Sequence, residues 1–237
     1  MKNAIIFGAS SGIGKALAQL LVNDGFRVAI TGRRIEKLQA IQQTHPEKYL
    51  IKQHDVTDIA SSEQLFEELT KELKTIDLIV YSSGVGNPNY QLEWEKELPT
   101  LQTNVMGAVK IFGLAYRFFH RQGYGHLVAI SSIAAIRGNR HVPAYFASKA
   151  FQKNYLESLW LKGNRSKADI YVTDIIPGYV DTAMAQGNTF WMADTNKATQ
   201  QIYNAIKKKK KRAYITKRWR LIAILLRIAP ARLLLKM

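Results

Sequence analysis

Residues 8–20, GASSGIGKALAQL, place three glycines and two serines between an apolar run and a helix-like pattern. Upstream, Ala4, Ile5, Ile6 and Phe7 form a short run that suits a strand buried on both faces. Downstream, Ile13, Ala16, Leu17, Leu20 and Leu21 recur at helical spacing, so the glycines fall where a strand ends and a helix begins. The first turn of a helix presents unpaired N–H groups and the positive end of its dipole, and both favour an anion. Glycines permit the turn and let a pyrophosphate approach the backbone. The spacing Gly8, Gly12, Gly14 is G-x3-G-x-G, which differs from the more general dinucleotide pattern G-x-G-x-x-G. A turn that only packs a helix on a sheet has the same local composition, so the rest of the chain decides.

Apolar runs alternate with helical patterns along all 237 residues. Strands are expected near 3–7, 27–31, 48–54, 76–81, 125–131, 169–175 and 212–215, and helices near 12–24, 34–43, 59–73, 97–121, 144–162 and 195–209. This order predicts an α/β fold, a single-domain doubly wound parallel sheet with helices on both faces. Ligands of such sheets bind beyond the C-terminal ends of the strands, near the reversal of strand order. The polar clusters Gly8–Gly14, Thr31–Arg34, His54–Val56, Ser82–Gly86, Ser131–Ser132 and Pro177–Thr182 all fall at such ends. The expected organisation is a nucleotide-binding catalytic body over 1–216, including a substrate lid over 181–195, and a basic amphipathic tail over 217–237.

Composition excludes several classes. With no cysteine there is no disulfide framework, thiol nucleophile or cysteine metal site, and the five histidines lack ligand spacing, so no metal is expected. The start, MKNAIIFGAS, runs straight into the first strand without a signal-peptide pattern, which makes the cytoplasm the expected compartment. The net charge of +16 is concentrated at the C-terminal end, where twelve Lys or Arg and no acid lie between Lys207 and Met237. The end of the second strand, AITGRR, offers Arg33 and Arg34 and no carboxylate. An acid there reads a ribose 2′-hydroxyl and an arginine a 2′-phosphate, so NADP(H) is the expected cofactor.

The stretch AISSIAAIRGNRHVPAYFASKAF carries the candidate chemistry. Tyr145 and Lys149 stand at i and i+4 and share a helix face, with Ser132 thirteen residues earlier at a strand end and Asn104 in an intervening helix. Together with GASSGIG, Asp55 in HDV, Asn104 in TNVMG, YFASK, and Pro177–Gly178 in PGYVDT, these residues resemble the short-chain dehydrogenase/reductase superfamily from about Lys2 to Thr182. The resemblance implies a Rossmann-like domain, an NAD(P)-dependent oxidoreductase, and a homodimer or homotetramer built through the two long helices.

It further implies a catalytic set of Asn104, Ser132, Tyr145 and Lys149. Tyr145 acts as general acid/base, Ser132 bonds the carbonyl oxygen, and Lys149 favours the phenolate and holds the nicotinamide ribose. Asn104 fixes a water that links Lys149 to solvent. The cofactor set begins with Gly8, Ser10, Ser11, Gly12, Ile13 and Gly14 at the glycine turn, and with Arg33 and Arg34. Asp55 and Val56 follow the third strand, Ser83 and Gly84 the fourth. Tyr145, Lys149, Pro177, Gly178, Val180 and Thr182 complete it.

Two positions depart from the family pattern: Phe7 stands where threonine is common, and Ser82–Ser83–Gly84 replaces Asn-Ala-Gly. The second removes a bracing amide, so either the serine hydroxyls replace its hydrogen bonds or the loops are looser. In the lid, Met184, Phe190, Trp191 and Met192 either suggest an apolar, lipid-like carbonyl or alcohol substrate or only dock the lid on the body. In the tail, Lys217, Arg220 and Arg227 share one helical face and Leu221, Ile224, Leu225 and Ile228 another. This pattern suits peripheral contact with an anionic membrane, or an arm that covers apolar surface of its own or a partner subunit. The lysine run 207–211 has no stacking platform beside it, so nucleic acid is not the expected partner. A nucleotide-sensing protein without turnover, or a membrane-associated scaffold of the same fold, is the alternative class.

Overall fold

The computed structural model describes residues 1–183, 190–230, 232 and 235. Seven strands, β1 (Asn3–Phe7), β2 (Arg27–Gly32), β3 (Tyr49–Gln53), β4 (Leu78–Tyr81), β5 (Tyr124–Ile130), β6 (Asp169–Pro177) and β7 (Arg212–Ile215), form one sheet in the order β3-β2-β1-β4-β5-β6-β7. Every pairing is parallel. Strand order reverses between β1 and β4, and there the Ser82 amide donates to the Phe7 carbonyl at 2.8 Å. The crevice beyond these two strands is where a doubly wound sheet receives its ligand.

Helices cover both faces. β1 is buried along its whole length, and its residues alternate between two cores. Ala4 and Ile6 pack with Leu17 and Leu21 of α1 (Gly12–Asn23) and with Ile202 of α7 (Thr195–Lys207). α2 (Ile35–Gln42) adds Leu38 to this side. Ile5 and Phe7 pack on the other face with Leu69 of α3 (Ile59–Leu73), Phe112 of α5 (Ala108–Gln122) and Leu156 of α6 (Pro143–Asn164). The period of two in a strand sorts the side chains between these layers.

The helix expected over 97–121 begins earlier and is interrupted. α4 (Trp94–Leu101) leads into a π-helical turn over Gln102–Gly107 and then α5. Asn89 fixes the early start, its side chain accepting from the Glu93 amide at 3.0 Å and donating to the Glu93 carbonyl at 2.9 Å. π-turns inside helices collect at functional sites because they re-aim the groups they carry, and Asn104 lies in this one. A 3-10 turn over Ile133–Ile136 follows β5, and α8 (Trp219–Ile228) lies in the tail.

Phe112 is fully buried, with its ring edge-on to Tyr81 at 5.4 Å and tilted against Tyr155 at 6.0 Å. Phe112→Ala therefore opens a cavity between α5, β4 and α6. It is expected to lower unfolding free energy by about 3–5 kcal/mol, read as a fall in the urea midpoint with an unchanged slope.

Candidate active site

The polar strand ends converge on one cleft of about 500 Å³. At its β1 side the chain turns through Gly8 at φ +86° and Gly12 at φ +54°, conformations that favour glycine. A Cβ at Gly8 would lie 2.6 Å from the Ser83 amide nitrogen, and one at Gly12 would lie 3.2 Å from the Thr182 methyl. A Cβ on Gly14 would strike the Gly8 carbonyl. The turn thus needs all three glycines for packing as well as for access. Ser11 caps α1 in an extended conformation without a side-chain capping bond. The N–H groups of the first turn are left for a ligand.

Ser10, Ser11, Ile13, Arg33, Arg34, Asp55, Val56, Ser83, Gly84, Pro177, Gly178, Val180 and Thr182 all line this cleft, as do Ser132, Tyr145 and Lys149. Gly14 and Asn104 do not; both are buried behind it. Arg34 folds back on the glycine turn and donates to Ser10 Oγ at 2.7 Å and Ser11 Oγ at 2.9 Å. The Arg33 guanidinium is mostly exposed, 3.8 Å from an Asp55 carboxylate oxygen. Two cations beside open helix amides, a glycine cradle and a long cleft suit a dinucleotide phosphate group.

Ser132 follows β5 and caps the 3-10 turn, its Oγ accepting from the Ala134 amide at 3.1 Å. One helical turn separates Tyr145 from Lys149 on α6, with Lys149 Nζ 5.8 Å from the Tyr145 ring centre. Burial pushes the Tyr145 phenol above its ordinary value, partly offset by the Ser132 hydroxyl. Lys149 is pulled down to about 8, first by burial, against the opposing charge of Asp174. Its Nζ donates to the Ile130 carbonyl and to Gln152 Oε1, each at 3.0 Å.

The loop after β4 is braced from elsewhere in the chain, by Asn104. Asn104 Oδ1 accepts from the Val85 amide at 3.0 Å, and Nδ2 donates to the Val85 carbonyl at 2.8 Å and to Ser148 Oγ at 2.9 Å. The lid aromatics are elsewhere too: Phe190 and Trp191 stack at 4.4 Å and, with Met192, lie off the cleft lining. Trp191 instead meets Trp219 edge-on at 6.4 Å and lies under the Arg218 guanidinium at 5.0 Å. Met184 lies outside the described residues. The apolar wall comes from Val85, Pro88, Ile133, Val142, Phe146 and Tyr179, which the sequence reading passed over. Phe146 and Val142 flank the Tyr145 turn of α6, and that proximity was the available signal.

A family model for short chain dehydrogenases matches residues 2–193. The chain belongs to the short chain dehydrogenase family. An uncharacterized oxidoreductase of Myxococcus xanthus is 33% identical over 196 residues, covering 81% of this chain and 77% of that protein. A 3-oxoacyl-[acyl-carrier-protein] reductase of Homo sapiens is 30% identical over 187 residues, 78% of each chain. A short chain dehydrogenase/reductase of Burkholderia phymatum, solved in complex with NAD, superposes with a TM-score of 0.84 at 16% identity, covering 94% of this chain and 92% of its own. The protein is an oxidoreductase of this family, whose members bind nicotinamide cofactors.

Gly86 gives a test of the short chain dehydrogenase site. A Cβ there would run into the Tyr145 ring. Gly86→Ala is expected to displace the Tyr145 ring and, with the role proposed below for its phenol, to lower turnover by about a hundredfold, the scale for misplacing a reacting group by about 1 Å. The same clash is expected to lower the midpoint of thermal unfolding, followed by circular dichroism.

Proposed function

We propose that this chain interconverts a carbonyl and an alcohol on an apolar substrate using NADP(H), with Tyr145 as general acid/base. The observation that supports this best is the joint opening of Ser132, Tyr145, Lys149 and the glycine turn onto one cleft with an apolar far wall. NADP(H) supplies the reducing equivalent; Arg33 and Arg34 hold its 2′-phosphate, and Gly8–Ile13 with Thr182 hold the pyrophosphate. Ser132 orients the substrate oxygen. Tyr145, protonated at neutral pH, gives its proton to the developing alkoxide, and the Lys149 cation stabilises the phenolate left behind, against the burial that raises the phenol above its ordinary value.

Cofactor titration followed by fluorescence tests the phosphate reading. NADPH is expected to bind more tightly than NADH, and Arg33→Ala to weaken NADPH binding roughly tenfold or more, as for loss of a charged hydrogen bond. Equal affinity for both cofactors rejects it. Tyr145→Phe separates a catalyst from a nucleotide sensor: turnover is expected to fall by about 10²–10⁴ with NADPH binding kept.

The tail supports peripheral contact with an anionic membrane. Leu221, Ile224, Leu225 and Ile228 of α8 are exposed, and only Trp219 and Ala223 are buried against the body. The aliphatic stripe therefore does not cover its own subunit. Lys217, Arg218, Arg220 and Arg227 flank it, the pattern of an interfacial helix. Among the described residues no helix is long and apolar enough to cross a membrane. A homodimer or homotetramer through α5 and α6 fits the exposed Met106, Phe151 and Leu161 on that helical run. Co-sedimentation with phosphatidylserine vesicles is expected for the parent chain and lost in Leu221→Ser/Leu225→Ser; retained binding by that variant rejects the membrane reading.

A further inference from the structure

Gln152 is wholly buried on α6, one turn beyond Lys149. Its Oε1 accepts from Lys149 Nζ at 3.0 Å and its Nε2 donates to the Asn104 carbonyl at 2.8 Å. An ammonium only donates and a backbone carbonyl only accepts, so the amide has one workable orientation. With the Ile130 carbonyl at 3.0 Å, two of the three Nζ protons have fixed acceptors in the protein. Lys149 lines the cleft, and Gly84 gives Nζ room there: a Cβ at Gly84 would stand 3.3 Å from it.

We propose that Gln152 is a positioning residue of the reaction, which seats the Lys149 ammonium against the cleft and ties it to the π-turn through the Asn104 carbonyl. It rests on the roles proposed above for Tyr145 and Lys149. Gln152 joins Lys149 directly to the Asn104 carbonyl. A carboxamide accepts at oxygen and donates at nitrogen without passing a proton between them, so Lys149–Gln152–Asn104 is a brace.

The charged and titratable groups around Lys149 are few. Tyr145 lies on the same helix, and Asp174 on β6 is buried, accepting from Ser131 Oγ at 2.5 Å with Arg212 Nε of β7 at 3.4 Å. Lys153, the next turn of α6, acts on Asp174. Burial pulls Lys149 down, and Asp174 opposes it. The Gln152 oxygen acts in the same sense as Asp174, because a hydrogen bond to the charged form favours that form.

The test is a pH titration of protein carrying 13C at the lysine ε-carbon, with the Lys149 resonance assigned by its loss in Lys149→Met. Gln152→Leu removes the acceptor and is expected to lower the Lys149 midpoint by on the order of one unit. A role in packing alone leaves the midpoint where it was, and that result overturns the proposal. Should Gln152→Leu not fold, the unbranched Gln152→Met decides: a lowered midpoint supports the brace, and an unmoved or raised one overturns it. Neither cofactor nor substrate is present, so failure here is distinguishable from failure of the proposed activity.

Discussion

The Lys149 ammonium is taken out of water and given two fixed acceptors, the Ile130 carbonyl at the end of β5 and the Gln152 amide on its own helix. A buried cation without such partners costs several kcal/mol in effective terms. The neighbouring features are conditions for meeting that demand. β5 must end at Ile130 so that its last carbonyl turns inward. The loop after β4 must carry a glycine where Nζ approaches, and the π-turn must offer a backbone carbonyl to the far side of Gln152. Asn104 serves both ends of the arrangement: its carbonyl anchors Gln152 and its side chain grips Val85. Loop, turn and helix are therefore fixed together, and the cleft inherits its shape from that tie.

Much of this was legible in the sequence. The alternation of apolar runs with helical patterns reported the parallel sheet, because strands buried on both faces leave no polar alternation. The corner at Gly8–Gly14 was readable because positive φ and close backbone contact demand glycine at those positions. What escaped was set by long-range contact. The π-turn has no local signature in Gln102–Gly107, and the partner of Gln152 lies 48 residues away in the chain. A Gln one turn past a lysine looks like ordinary helix surface until the fold buries it.

The loop after β4 is held by contacts from other elements: Ser83 packs against Gly8 across the crevice, and the Asn104 amide makes two bonds to the backbone of Val85. The lid aromatics are held in the same way. Phe190 and Trp191 are apolar enough to cover a substrate, but Trp219 and Arg218 of the tail offer them flat and cationic partners nearer at hand. The apolar wall is left to α6 and the 3-10 turn, the rigid elements that also carry Tyr145 and Ser132.

The tail is anchored at both ends of α8. Trp219 fills the hollow over Gly178, where any Cβ would collide with its ring, and it meets Tyr179 edge-on at 5.6 Å. At the other end of α8, Arg137 donates to the carbonyls of Leu226 at 2.7 Å, Arg227 at 2.8 Å and Ala229 at 3.1 Å, satisfying acceptors that a helix end leaves open. A helix this short is not stable alone in water. These two anchors hold it, and both come from segments that also line the cleft: Gly178 and Tyr179 from the loop after β6, and Arg137 from the end of the 3-10 turn begun by Ser132. The anchors of the tail helix and the walls of the site are therefore built from the same segments.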